Sequence, residues 1–409
     1  MKTSTGKHVL MLLENNPYPQ DTRVSREARA LASAGYQVSV ISPAQHGQPS
    51  RESLDGVCVY RFPLPLLGSG FLGYLWEYGY SMLTAFILSL FIYLREGFDV
   101  IHAANPPDTF VLIAAFYKLL GVRFVYDHHD LSPEMYQARL DGKGSRLVYH
   151  ILILFEKLSC RLADHVIATN QSYKTVEMQR GHVPEERITI VRNGPDLNRF
   201  QPMEPDTELR QKGKTIIGYA GVMGFHDGVD YLLRAIQHLV YSLDRAEFLC
   251  VIIGGLGDAR ASLKVLATKL GVEKYIWFTD WVENDDYIRY LSTTDICVDP
   301  APSNAFNDRS TMSKILEYMA LEKPIVAFDL PEHRYTAQEA ALYVRPNDEL
   351  EFARALAELM DDSPRRQAMG LFGRRRVETE LAWCYSVPAL LGAYRIILSR
   401  KDGKRLPYP

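Results

Sequence analysis

Residues 301–328, APSNAFNDRSTMSKILEYMALEKPIVAF, decide how this chain is read. They run from the end of one apolar strand (296–299, ICVD) through a polar loop and an amphipathic helix into a second apolar strand (324–328). Two short strands without polar alternation, separated by a helix, are the unit of a parallel α/β sheet. The helix is expected to start near Thr311 with Asp308 or Ser310 as its cap, and to stop before Pro324. Ile315, Leu316, Met319 and Ala320 make its buried stripe, while Ser310, Lys314 and Glu317 share another face. Free N–H groups and the positive end of the helix dipole favour an anion there. Lys314 adds a full charge, Ser310 and Thr311 add donors, and Glu317 can accept from a sugar hydroxyl. That set suits a nucleotide diphosphate followed by a ribose. A surface helix whose Lys314 and Glu317 merely face water fits the same letters.

With 409 residues the chain exceeds one ordinary core, and two domains of about 200 are expected. Hydrophobic content of 47% with 23% charged residues describes a globular protein. Lys and Arg number 46 against 49 Asp and Glu, a formal charge of −3, which gives no pull toward nucleic acid. Cys58, Cys160, Cys250, Cys297 and Cys384 are scattered, with no Cys-x-x-Cys or Cys/His cluster. Reduced thiols in a cytoplasmic protein are the expectation, with no zinc site. The start, MKTSTGKHVLMLLENN, is too briefly apolar for a secretory leader and reads as a first strand. Residues 82–94 carry no charge but fall short of the roughly 20 apolar residues that span a bilayer. A buried crossover helix is the expected reading. Because Tyr74, Trp76, Tyr78 and Tyr80 precede it, a helix partly immersed in a bilayer surface stays open.

Apolar strand-like runs at 8–13, 37–41, 57–61, 99–102, 123–126, 165–168 and 188–191 alternate with helical patterns at 22–34, 84–94, 109–120, 145–161 and 173–180. After Phe200 a polar, proline-bearing stretch, QPMEPDTELRQKGK, has the composition of a linker. The pattern then restarts, with strands at 215–219, 248–253, 275–278, 296–299, 324–328 and 341–344. Helices are expected near 229–241, 259–270, 285–291, 311–321 and 349–360. The expected fold is α/β: two doubly wound Rossmann-like domains, 1–203 and 204–381, and a C-terminal segment, 382–409, packing back across the linker. In open sheets of this kind ligands sit beyond the carboxyl ends of the strands, so a cleft between the domains is the expected site.

Five segments, taken together and in order, resemble the retaining GT-B glycosyltransferases of family 4, which build bacterial exopolysaccharides, O-antigens and related glycoconjugates. They are ENNPYPQDTRVSREARALASAGYQVSVI, VYDHHDLSPEMY, VRNGPDLNRF, IGYAGVMGFHDGVDYLLRAI and NDRSTMSKILEYMALEKPIVAFDLPEHR. The resemblance implies transfer of a sugar from a nucleotide diphosphate donor, a UDP-sugar being expected, to a glycan or polyprenyl-linked acceptor. It implies no metal, no other cofactor and no nucleic-acid partner. It places the protein in the cytoplasm, with peripheral contact at the inner membrane face where the acceptor is lipid-linked.

The resemblance also assigns residues. Asn16, Asp21 and Arg23 lie in the loop and helix start where the acceptor is expected, joined by His128 and Asp130. His129 falls on the histidine that borders the transferred sugar and, with Lys314, is the expected catalytic pair. A His128–His129–Asp130 metal site is disfavoured, because adjacent residues on an extended chain point opposite ways. Gly221 and Met223, in the turn after the first strand of the second domain, join Arg309, Ser310, Thr311, Lys314 and Glu317 around the donor. Where relatives carry a Lys-Gly pair this chain has Asp227-Gly228, so Lys314 is the expected substitute cation. Glu317 matches the second member of the family's Glu-x7-Glu pair, but Arg309 stands at the first. A nucleotide-sugar epimerase or hydrolase, and a non-catalytic nucleotide-sugar-binding subunit, are the alternatives.

Overall fold

The structure, a computed structural model, describes residues 6–399 except 46, 65–69, 141, 213, 256 and 258, and the side chains at 70–72, 74 and 75 (Tyr74 among them) lie outside the described residues. The chain divides into two compact units. One holds the chain up to Tyr136, Gly144–Arg192 and the chain from Ser386; the other holds Gln137–Lys143 and Asn193–Tyr385.

The first unit is built on strands β1 (His8–Leu12), β2 (Gln37–Pro43), β3 (Arg51–Leu54), β4 (Val57–Phe62), β5 (Val100–Ala104), β6 (Arg123–His128), β7 (His165–Ala168) and β8 (Ile188–Ile190). They form one sheet in the order β3-β4-β2-β1-β5-β6-β7-β8. Every neighbouring pair is parallel except β3–β4. Sequence reading missed β3, whose four residues, RESL, are too polar to look like a strand. The signal was the Asp55-Gly56 turn: φ is 51° and 82° there, the left-handed pair that a two-residue hairpin turn requires.

The second unit carries β9 (Thr215–Ala220), β10 (Phe248–Ile253), β11 (Ile276–Phe278), β12 (Ile296–Asp299), β13 (Ile325–Phe328) and β14 (Ala341–Val344) in the all-parallel order β11-β10-β9-β12-β13-β14. Because strand side chains alternate, each strand feeds two cores. Ile217, Tyr219, Cys250, Ile252, Val298 and Val326 pack with the helices Val229–Tyr241 and Glu349–Asp361 on one face. Ile216, Ala220, Val251, Ile253, Cys297 and Ala327 pack with Ser313–Ala320 on the other. Both faces are covered, so the strands read as apolar runs.

Two expectations are corrected. The apolar helix is longer than 84–94, running Gly70–Arg95. It is also not a buried crossover: Trp76, Leu83, Ile87 and Leu94 are 60%, 60%, 57% and 76% exposed. The helices Ser132–Arg139, Pro331–Ala337 and Ser363–Arg376 were not foreseen, and a short helix, Thr207–Gln211, lies inside the expected linker. The last helix, Trp383–Ser399, brings Tyr394 against His102 of β5 in the first unit.

Candidate active site

In the second unit the predicted donor residues gather at the carboxyl end of β9 and the start of Ser313–Ala320. That helix begins two residues later than expected. Met312 occupies the cap position without a side-chain bond. Asp308 and Ser310 do not cap it, because a tight turn at Asn307–Arg309 takes up these residues. Ser310 instead donates to the Phe306 carbonyl at 2.9 Å, and Asp308 accepts from Ser303 at 3.2 Å.

Lys314 is the centre of this region, its side chain only 10% exposed. The ammonium lies 3.1 Å from Asp227 Oδ1, 3.9 Å from Asp299 Oδ1 and 3.2 Å from the Tyr219 hydroxyl, and 4.6 Å from the centroid of the Tyr219 ring. Burial alone would favour the neutral amine, but Tyr219, Asp227 and Asp299 hold it charged, well above the ordinary lysine value. Asp227 is likewise opposed by burial, yet the Lys314 charge, helped by His226 and the Gly224 N–H, leaves it below the usual carboxylate range. Gly221 sits beside this lysine with φ of +149°, and a Cβ there would stand 3.4 Å from Lys314 Cε. Met223 is fully buried. Behind Lys314 lies a group that sequence reading did not single out: Asp299 Oδ2 is 3.5 Å from His333 Nε2, and both residues are fully buried. The remaining donor residues have protein partners. Glu317 accepts from the Tyr287 hydroxyl at 2.6 Å, Thr311 donates to Glu332 at 3.2 Å, and Arg309 donates to the Ala305 carbonyl at 2.6 Å.

In the first unit the residues lie beyond β1, β5 and β6. Asn16 is exposed, and Asp21 caps the helix Thr22–Ser33 by accepting from Val24 N at 2.9 Å. Arg23 does not face an acceptor. It is buried, donating from Nε and Nη2 to the two Asp127 oxygens at 2.8 and 2.6 Å and from Nη1 to the Val191 carbonyl at 3.0 Å. His128 is also withdrawn from any acceptor. Its fully buried ring is 3.2 Å from Glu177 and 3.7 Å from Glu156. His129 is the residue that reaches the exterior, with 15% of its side chain exposed and Nδ1 at 3.2 Å from Asp127 Oδ2. That contact leaves Nε2 for other partners. Burial works against charge on His129, but Asp127 and then Asp130 raise it above the ordinary histidine value.

Asn105 was missed in the sequence and fixes the His129–Asp130 turn. Its Oδ1 accepts from His129 N at 2.8 Å and Asp130 N at 3.1 Å, while Nδ2 donates to the Asp130 carbonyl at 2.6 Å. The Asn-Pro-Pro run directly after β5 was the available signal. Glu27, His102 and Asp127 place their ligand atoms within 4.8 Å of one another. Arg23, however, already sets its guanidinium against both carboxylates, 3.2 Å from Glu27 and 2.6 Å from Asp127, where a cation would have to sit.

The two halves of the chain match two known domain families. Residues 20–194 match a family described as "Glycosyl transferase 4-like domain", and residues 214–362 match "Glycosyl transferases group 1". The structure is similar to that of a sucrose-phosphate synthase from Thermosynechococcus elongatus (TM-score 0.79, 18% identity, 96% of this chain and 99% of that one). It is similar also to Anabaena HepE in complex with UDP-glucose (TM-score 0.72, 17% identity, 95% and 99%). The chain carries these two glycosyl transferase domains, in the fold of those structures. Among curated relatives it is 24% identical to a D-inositol 3-phosphate glycosyltransferase of Thermobispora bispora over 68% of this chain and 66% of that protein's length. It is 22% identical to the capsular polysaccharide biosynthesis glycosyltransferase CapM of Staphylococcus aureus, over 80% of this chain and 84% of that one.

The buried pairing of His128 gives this chain a pH signature. Burial would depress the ring, but Glu177 and Glu156 push it up to about 9, above the ordinary 6.5. The stabilisation is therefore complete below about pH 6.5 and is lost as pH rises through 9. The thermal midpoint should fall between pH 7 and 10, and His128→Gln should fall less steeply over the same interval. Parallel curves for the two proteins would show that the ring is neutral in the folded state.

Proposed function

We propose that this chain is a glycosyltransferase that moves a hexosyl or N-acetylhexosaminyl group from a UDP-sugar, with retention at the anomeric carbon, to a glycan or polyprenyl-linked acceptor at the cytoplasmic face of a membrane. The observation that carries the reading is the buried, charged Lys314 beside Gly221 at the start of Ser313–Ala320. As the bond between the anomeric carbon and the diphosphate breaks, negative charge gathers on the leaving oxygen. An ammonium beside the amino end of a helix stabilises that charge, and no metal is needed. The acceptor hydroxyl then bonds to the same face of the carbon, its proton passing to the departing diphosphate. Glu317 is the candidate for the ribose, and His129, held by Asp127, offers Nε2 to the transferred sugar. UDP is favoured by the Anabaena HepE structure, and a polysaccharide setting by CapM.

The lipid-linked acceptor is supported by apolar surface on the first unit. Besides the exposed residues of Gly70–Arg95, Leu112 on Val111–Lys118 and Leu119 just after it lie exposed, as do Leu147 and Leu154 on Arg146–Leu162. Exposed apolar residues recurring on neighbouring helices suit contact with a bilayer.

Two results follow. Lys314→Ala should lower turnover, read as nucleotide release, by about 10²–10³-fold. Because it also leaves Asp227 and Asp299 without their cation, folded fraction is measured alongside and Lys314→Arg serves as the conservative variant. Unchanged turnover in folded Lys314→Ala would remove the diphosphate assignment. Sedimentation with phospholipid vesicles should fall sharply on Leu83→Glu with Ile87→Glu, and equal binding by that variant would remove the membrane assignment.

A further inference from the structure

Behind His129 lies a set of buried groups to which the proposed function gives no role. Glu27 of Thr22–Ser33, His102 of β5, Asp127 of β6 and Tyr394 of the last helix are all fully buried, and Arg23 nearly so. Glu27 Oε1 stands 3.2 Å from Arg23, and Oε2 stands 3.3 Å from His102 Nε2. On its other side, His102 Nδ1 is 2.7 Å from the Tyr394 hydroxyl. Neither Glu27 oxygen nor His102 Nε2 has a properly aligned hydrogen bond.

Charge counting shows what the set must hold. Arg23 brings one positive charge and Asp127 one negative, joined by two short bonds. Glu27 would leave an uncompensated negative charge in a dry interior, which is strongly unfavourable. A proton on Glu27, or positive charge on the neighbouring His129, offsets it. Where the Tyr394 hydroxyl donates to Nδ1, the neutral His102 ring carries its one proton on Nε2, facing Glu27. Asp127 Oδ2 lies 3.8 Å from His102 Nε2 and 3.2 Å from His129 Nδ1, so it separates this pair from the ring at the surface.

We infer that Glu27, His102 and Tyr394 are positioning residues which, acting through Asp127, set the protonation state of His129. This rests on the proposed role of His129 only for its consequence in catalysis; the proton coupling stands on the geometry alone. The groups facing the pair are Arg23 from its own helix, Asp127 and His129 from β6 and its loop, and Tyr394 from the last helix. Asp130 adds its charge next to His129. Burial and then Asp127 push Glu27 up to about 7, above the usual carboxylate range. Loss of its proton puts a negative charge behind Asp127 and makes His129 a stronger base.

The test is the titration of the His129 ring, followed by NMR of protein labelled at histidine Cε1 and assigned with His129→Gln. Glu27→Gln cannot become negative, so the His129 midpoint should move down by about one unit. Glu27→Asp should restore most of the shift, and Tyr394→Phe should give a smaller change in the same signal. An unmoved midpoint in folded Glu27→Gln overturns the inference, and should that variant fail to fold, an unmoved midpoint in Tyr394→Phe does so. Normal turnover by His129→Ala would be a separate failure, sinking the catalytic reading of His129 and leaving the coupling intact.

Discussion

A lysine held in the interior needs its compensation built around it, and Lys314 organises the tip of the second sheet in this way. An unpaired buried ammonium costs several kcal/mol. Asp227 from the turn after β9, Asp299 from the end of β12 and Tyr219 from β9 all converge on it. The turn must then pass close by, which only a residue without a side chain allows. Gly221 adopts φ of +149° there, and Gly254 at the end of β10 is pressed so near that a Cβ would lie 2.4 Å from the Gly221 carbonyl oxygen. The same crowding that satisfies the lysine leaves a bare backbone next to a positive charge, which is what an anionic ligand can use. Asp227 fills the role of counter-ion while no anion is bound, so a diphosphate has to displace or share it.

The first unit solves the same problem with the opposite balance. Two buried carboxylates, Glu27 and Asp127, meet one guanidinium, with His102 and His129 packed alongside. The result is a rigid floor under a single partly exposed ring. Asn105 adds to the rigidity by holding the backbone on both sides of the His129–Asp130 peptide. A second charged network, Glu134, Arg180, Glu156, His128 and Glu177, closes the interior behind β6. Alternation along the strand end explains how adjacent histidines serve different ends: His128 enters that network and His129 turns to Asp127.

The doubly wound architecture was legible because both faces of most strands are covered, making them short apolar runs between helical patterns. Boundaries within the second unit, such as 248–253, 296–299 and 341–344, coincide with the observed strands for this reason. β3 was hidden by its polar side chains at the sheet edge, where no burial demands apolar residues. The grouping of Gly221 with Lys314 could be foreseen, since a strand end and a helix start meet at one edge of such a sheet. In the sequence Asp227 marks only a missing cation; its part as the partner of that lysine emerges from the fold, across 87 residues. Arg23 and His128 were misjudged because their partners lie 104 and 49 residues away in sequence. Likewise, nothing local ties His102 to Tyr394 across 292 residues. Pattern reading finds periodicity and nearby spacing; long-range ion pairing between helix and strand ends leaves no such trace.

The most direct test of the central claim is a crystal structure of the protein soaked with UDP. The account predicts the diphosphate within about 3 Å of the Lys314 ammonium, with Asp227 moved from its present contact. Nucleotide bound elsewhere, with the Lys314–Asp227 pair undisturbed, would contradict it.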